Sequence, residues 1–98
     1  METGTVASLQ DVLAALADPV RLEMVRRLAT AEEPVACGQL YDGVSKSTAS
    51  HHFKTLREAG VIEKVIRDGH THQSLRTAEL EAAYPGLLGS VVAAATRP

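Results

Sequence analysis

A single cysteine, Cys37, stands in the 98 residues of this chain. One thiol cannot close a disulfide within the chain and supplies at most one thiolate ligand, which excludes both a disulfide framework and a cysteine-rich zinc site. Aromatic residues are equally scarce. Phe53, Tyr41 and Tyr84 are the whole set, so the core is modest and largely aliphatic. No apolar run approaches the roughly 20 residues that span a bilayer, and Met1-Glu-Thr-Gly lacks the basic start and apolar stretch of an export signal. Neither a membrane nor export is expected, and a reducing cytoplasm fits the cysteine usage. Glycine and proline, at seven and four residues, are too few for a collagen-like or low-complexity chain. What remains is ordinary globular composition, 45% apolar and 22% charged, at a length that supports one domain.

Net charge is only -2, which by itself points to no polyanionic partner. The distribution is more informative. Residues 1–44 carry three arginines against seven acids, whereas residues 45–76 carry Lys46, Lys54, Arg57, Lys64, Arg67 and Arg76 against three. All four histidines, His51, His52, His70 and His72, fall in that same segment. A local basic face on an otherwise acidic domain is the electrostatic footprint of a nucleic-acid reader, although clustered charge also arises on ordinary solvated surfaces.

The pattern of elements is mainly helical with one small ribbon. Ser8 can cap a first helix in which Leu9, Val12, Leu13 and Leu16 share a face. Asp18-Pro19 restarts the chain as a second helix to about residue 30, since Asp accepts the free N–H groups of a first turn and Pro tolerates its first position. Val35 to Tyr41 reads as a short third helix ended by the turn dipeptide Asp42-Gly43. Ser45 or Ser47 can cap a fourth helix with Ala49, Phe53 and Leu56 facing inward and Gly60 as its left-handed stop. Asp68-Gly69 between two β-prone runs predicts a hairpin over residues 61–77. Thr77 can cap a last helical region, interrupted at Pro85, whose Leu80, Tyr84, Leu87, Leu88, Val91 and Val92 line one face.

Short helix, turn, polar-faced helix, glycine and ribbon together make the outline of a helix-turn-helix with a wing. A helix that reads bases in the major groove needs short donors and acceptors near its N-terminus, and Ser47, Thr48, Ser50 and His51 suit that task. Lys46 and Lys54 flank them as phosphate contacts, Thr55 lies on the same outward side, and the ribbon tip offers Arg67, His70, Thr71 and His72 to the backbone or minor groove. The plainer account is that the hydroxyls only cap and the cations are solvated surface. His70 and His72 lie two apart on a strand, a spacing that can chelate a metal, but no Cys or carboxylate cluster accompanies them. Catalysis has only Ser50-His51 as a local candidate. Neighbours on a helix diverge by about 100° and no acid orients the pair, so an enzyme is not expected.

The stretch Ser45-Lys-Ser-Thr-Ala-Ser-His-His-Phe-Lys-Thr-Leu-Arg-Glu-Ala-Gly-Val-Ile62 closely resembles the recognition-helix signature of the ArsR/SmtB family of bacterial winged-helix repressors. Asp18-Pro-Val-Arg-Leu22 resembles the start of that family's second helix, and Leu75-Arg76 to Leu88 its ribbon exit and terminal helix. The resemblance implies a winged helix-turn-helix regulator of transcription, usually a repressor, acting as a homodimer on double-stranded DNA. It places Ser47, Thr48, Ser50, His51 and His52 against the operator. The division expected is a flexible start at 1–7, dimer helices at 8–17 and 77–96, the helix-turn-helix at 35–60 and the wing at 61–77. Leu9, Val12, Leu13, Leu16, Tyr84, Leu87, Leu88, Val91 and Val92 are the expected dimer contacts.

Two departures bear on sensing. Many metal-sensing members carry a Cys-x-Cys pair where this chain has Ala36-Cys37-Gly38, and others ligate zinc from a terminal helix, where Leu80 to Ala95 here offers only Glu81 and no histidine. No metal site and no cofactor are therefore expected, and the inducer is unreadable. The alternative function is a winged helix used for protein interaction without DNA.

Overall fold

The computed structural model describes residues 5–97. Five helices, α1 (Leu9–Leu16), α2 (Pro19–Ala31), α3 (Lys46–Glu58), α4 (Thr77–Ala83) and α5 (Leu87–Ala95), surround an antiparallel sheet of β1 (Val35–Ala36), β2 (Ile62–Arg67) and β3 (His70–Leu75). The local signals account for most boundaries. Ser8 Oγ accepts from the Asp11 N–H at 3.2 Å to open α1, and Asp18 accepts from Val20 and Arg21 at 2.8 and 3.1 Å to open α2. Desolvation pushes the Asp18 carboxyl up, but those two N–H donors, with His52 and Arg21 nearby, outweigh it and leave the group below its ordinary value. Ser45 accepts from the Thr48 N–H at 3.1 Å to open α3, so of the two serines considered the first is the cap.

The hairpin is as the turn chemistry requires. Asp68 and Gly69 both have positive φ, 52° and 78°, the pair of left-handed conformations of a two-residue type I′ turn. Strands β2 and β3 pair from Ile62 opposite Leu75 to Arg67 opposite His70. The sheet, however, has a third strand. Val35 and Ala36 pair with Gln73 and His72, which takes them out of the expected third helix and leaves only a 3-10 turn at Cys37–Gln39. Three residues with a glycine among them cannot nucleate an α-turn once the preceding pair is committed to a strand.

Val12, Ala15 and Leu16 of α1 pack with Met24, Val25 and Leu28 of α2, Leu40, the inner face of α3, and Val61, Ile62 and Leu80. Ala49, Phe53 and Leu56 face inward on α3 as expected. The apolar stripe of α1 is split: Val12 and Leu16 are 1% and 6% exposed, while Leu9 and Leu13 are 41% and 44% exposed. This corrects the allocation of Val12 and Leu16 to a partner, because both are consumed by the chain's own core. Tyr84, Leu87, Leu88, Val91 and Val92 are half-buried, packed against the core from one side.

The last helical region is two helices. Gly86 adopts φ 82° and its N–H is accepted by the Glu81 carboxylate at 2.7 Å, so the chain turns at Pro85-Gly86 before α5 begins. Thr77 is the first residue of α4 rather than its cap; the capping position is Arg76, whose side chain turns inward to donate to the Gly60 carbonyl at 3.4 Å. Residues 5–7, expected to be flexible with the rest of 1–7, are tied down: the Ala7 N–H donates to the Ala59 carbonyl at 3.0 Å and Tyr84 Oη donates to the Ala7 carbonyl at 2.7 Å. Residues 1–4 lie outside the described residues.

Glu23 organises the outer face of α2. Its carboxylate accepts from Arg26 at 2.7 and 2.8 Å and from Arg27 at 2.8 Å, and Arg27 reaches on to Asp42 at 2.6 Å in the turn before α3. The hydrogen bonds from Arg26 and then Arg27 hold the Glu23 carboxyl down to about 2, against an ordinary 4.5. A carboxyl depressed by folding contributes stability that is complete above its unfolded value and lost as pH falls through the folded one. Unfolding by urea from pH 7 to pH 2 is thus expected to show Glu23→Gln less stable than the parent near neutrality, with the gap closing between about pH 4.5 and 2.

Candidate nucleic-acid interface

The outward side of α3 presents Lys46, Ser47, Thr48, Ser50, His51 and Lys54, all exposed. The cap arranges its start: Ser45 Oγ donates to Thr48 Oγ1 at 2.9 Å and lies 3.3 Å from Ser47 Oγ. Thr48 thus accepts from the cap and keeps its own O–H for a partner. Ser50 and His51 make no side-chain hydrogen bond within the described residues, leaving donor and acceptor capacity free in the middle of the helix. Thr55 is turned to its own helix, its hydroxyl donating to the His51 carbonyl at 3.2 Å.

His52 is half-buried and held from behind. Arg21 Nη1 lies 3.0 Å from His52 Nδ1, while Arg21 Nε donates to the Ala15 carbonyl at 2.7 Å. Arginine only donates, so Nδ1 accepts and the ring proton sits on Nε2, the nitrogen left for a ligand. Arg21 was not readable as a functional residue from the sequence, since 31 positions separate it from His52. It also serves α1, where it satisfies carbonyls at the end of that helix.

The wing stands beside α3. Lys46 and Ser50 share a cavity of about 780 Å³ with Gly69, His70 and Thr71 of the turn and β3, which brings the helix and the ribbon tip onto one surface. Arg67 is exposed opposite His70. His72 does not join them. Thr71 and Gln73 share the side of β3 that faces α3, and alternation sets His72 on the other side, where it lines a hollow with Arg26, Arg27 and Gln39. Its Nδ1 donates to the His70 carbonyl at 3.1 Å. Arg76, one of the six cations of the basic segment, is 6% exposed and adds nothing to the outward charge. Among the described residues no three His, Cys, Asp or Glu side chains are grouped to hold a metal ion, and none of the described helices is long and apolar enough to cross a membrane.

Comparison with known proteins agrees with this geometry. Residues 16–65 match the model of a helix-turn-helix domain family. The chain is 38% identical over 80 residues to YceK of Bacillus subtilis (strain 168), an uncharacterized HTH-type transcriptional regulator, with 79% of each chain covered. This chain belongs to a helix-turn-helix family of transcriptional regulators. Among solved structures, this regulator is similar to the transcriptional repressor BigR from Xylella fastidiosa, at a TM-score of 0.67 and 25% identity, over 92% of this chain and 88% of that one. An ArsR family transcriptional regulator shares the fold at a TM-score of 0.64 and 20% identity, over 95% of this chain and all of the other. A DNA-binding regulator of transcription, not an enzyme, is the class that these relatives define. They set aside the reading of the wing and helices as a protein-interaction module without DNA.

Proposed function

We propose that this regulator is a homodimeric repressor of the cytoplasm that binds an inverted-repeat operator, with α3 of each copy in the major groove and the wing tip on the flanking backbone. The observation that carries the reading is the exposed row Lys46, Ser47, Ser50, His51 and Lys54 on the same surface as His70 and Thr71. Ser50 and His51 read base edges, Thr48 and His52 assist, and Lys46, Lys54 and Arg67 meet phosphates. Residues 35–60 serve as the helix-turn-helix, 61–77 as the wing, and 8–17 with 77–96 as the dimer contacts. The likeness to a repressor supports the sign of regulation. Two copies are needed because one short helix touches too few base pairs, whereas two about 34 Å apart read half-sites one helical turn apart.

The test is binding to duplexes from the DNA flanking its own gene, followed against salt. Log affinity is expected to fall linearly with log salt, at a slope of about -0.9 per phosphate neutralised. Ser50→Ala and His51→Ala should each erode preference for the operator by about 1 to 3 kcal/mol, while Lys54→Ala weakens all sequences alike. Salt-independent binding, or loss of preference at Lys54 with none at Ser50 and His51, would overturn the assignment of this face.

A further inference from the structure

The cavity between the 3-10 turn, α3 and the wing holds chemistry that DNA contact leaves unused. Cys37, the chain's one thiol, is half-buried there. Gln73, 1% exposed, donates from Nε2 to Cys37 Sγ at 3.5 Å, while its Oε1 is buried with no hydrogen-bond partner. An acceptor buried without a donor is unfavourable, so a donor that arrives beside the thiol is met by an unpaired carbonyl. Tyr41 and Phe53, edge to face with centroids 6.2 Å apart, form an apolar wall. Lys46, Arg57 and Lys64 line the same cavity, and no Asp or Glu does.

The geometry points to Cys37 as a site of mixed-disulfide formation with a small anionic disulfide that also carries an amide N–H. The Cys37 thiolate attacks one sulfur of the disulfide; the new Sγ–S bond forms as the old S–S bond breaks. The departing half leaves as a thiolate and takes up a proton, equivalent to the one that Cys37 gave up. Cys37 is thereby oxidised and the departing thiol is the reduced product. The attached half sets its carboxylates among Lys46, Arg57 and Lys64, and its amide N–H donates to Gln73 Oε1. With no second cysteine in the chain to displace it, the adduct stays until an external thiol removes it. The consequence for regulation rests on the proposed DNA face: carboxylates held beside Lys46 neutralise a phosphate contact and fill the space between α3 and the wing, so DNA is released.

The full chain is treated with oxidised glutathione, which is anionic and bears amide N–H groups, or with cystamine, which is cationic, and adduct formation is timed by intact mass. Each rate is divided by that of free N-acetylcysteine with the same disulfide. At low salt the normalised rate is expected to favour oxidised glutathione by about tenfold or more, as for other steered encounters, and to lose most of that preference at high salt. Lys64→Gln and Arg57→Gln should narrow the preference, Gln73→Leu should slow the glutathione reaction, and Cys37→Ser should give no adduct. A normalised cystamine rate equal to or above that of glutathione overturns the site. The adduct should then bind a short duplex at least about tenfold more weakly than the unmodified chain, with recovery on adding dithiothreitol. Selective adduct formation with unchanged duplex binding overturns the switch. An unmodified chain that fails to bind any duplex overturns the DNA reading instead, and the charge preference still decides the site.

Discussion

Replacing Leu9 and Leu13 together with glutamate is expected to leave a folded chain that sediments as a monomer and binds its operator about a hundredfold or more weakly. The two leucines sit one turn apart on α1 at 41% and 44% exposure, whereas their neighbours Val12 and Leu16 are buried in the chain's own core. Charges placed on the outer pair therefore spare the fold and, in the proposed homodimer, meet the partner. Across a twofold axis they would face their own copies, and like charges taken out of water repel strongly. Losing the second half-site removes the avidity of linked contacts, commonly worth a factor of 10² to 10⁴. Sedimentation equilibrium, far-ultraviolet dichroism and operator titration check the three parts. Val12→Glu is the informative contrast, since a charge there is expected to unfold the chain. A double variant that still dimerises and binds normally would remove α1 from the interface.

Gly60→Ala is expected to be the most damaging glycine-to-alanine change among the described residues. The residue ends α3 at φ +79°, and an added Cβ would lie 2.8 Å from Val6 Cα and 3.0 Å from the Thr5 carbonyl oxygen. The backbone conformation alone costs an alanine about 1 to 2 kcal/mol. The close approach adds to that, because the obstructing atoms are main chain held in place through Ala7. Gly69→Ala separates the two contributions: it has φ +78° and nothing within 4 Å. In thermal unfolding, where 1 kcal/mol moves the midpoint of a domain of this size by about 4 to 8 °C, Gly60→Ala should fall clearly below Gly69→Ala. Equal losses would mean that the segment before α1 yields freely.

Signals carried within a few residues were legible from the sequence. Ser8, Asp18 and Ser45 cap the helices they precede, and Asp68-Gly69 turns the hairpin, because a cap or turn acts on N–H groups two or three positions away. The inward face of α3 was legible for a similar reason, as helical spacing alone lines up Ala49, Phe53 and Leu56. Features that depend on distant partners were hidden. Strand β1 has two residues and exists only because β3, nearly forty positions later, offers Gln73 and His72. The same holds for Arg21 behind His52 and Gln73 beside Cys37. Leu9 and Leu13 could not be told from Val12 and Leu16 by periodicity, since all four share one stripe and only the packing of α2 and α3 decides which pair is covered. Charge counting groups Arg76 and His72 with the rest of the basic segment, but Arg76 is buried and His72 lies away from α3, a distinction that counting does not make.

The order β1-β3-β2 leaves β2 on an open side of the sheet, with a row of main-chain groups that could template a further strand. Glu63, Lys64 and Arg67 punctuate that strand with charge of both signs around the exposed Ile66. Bringing a second copy alongside would force these ions to shed water without assured partners, the device by which natural sheets resist edge-to-edge growth. Accretion of copies into fibrils is thereby discouraged at the wing, which leaves the helices as the place for the proposed twofold contact, one that closes on itself and stops.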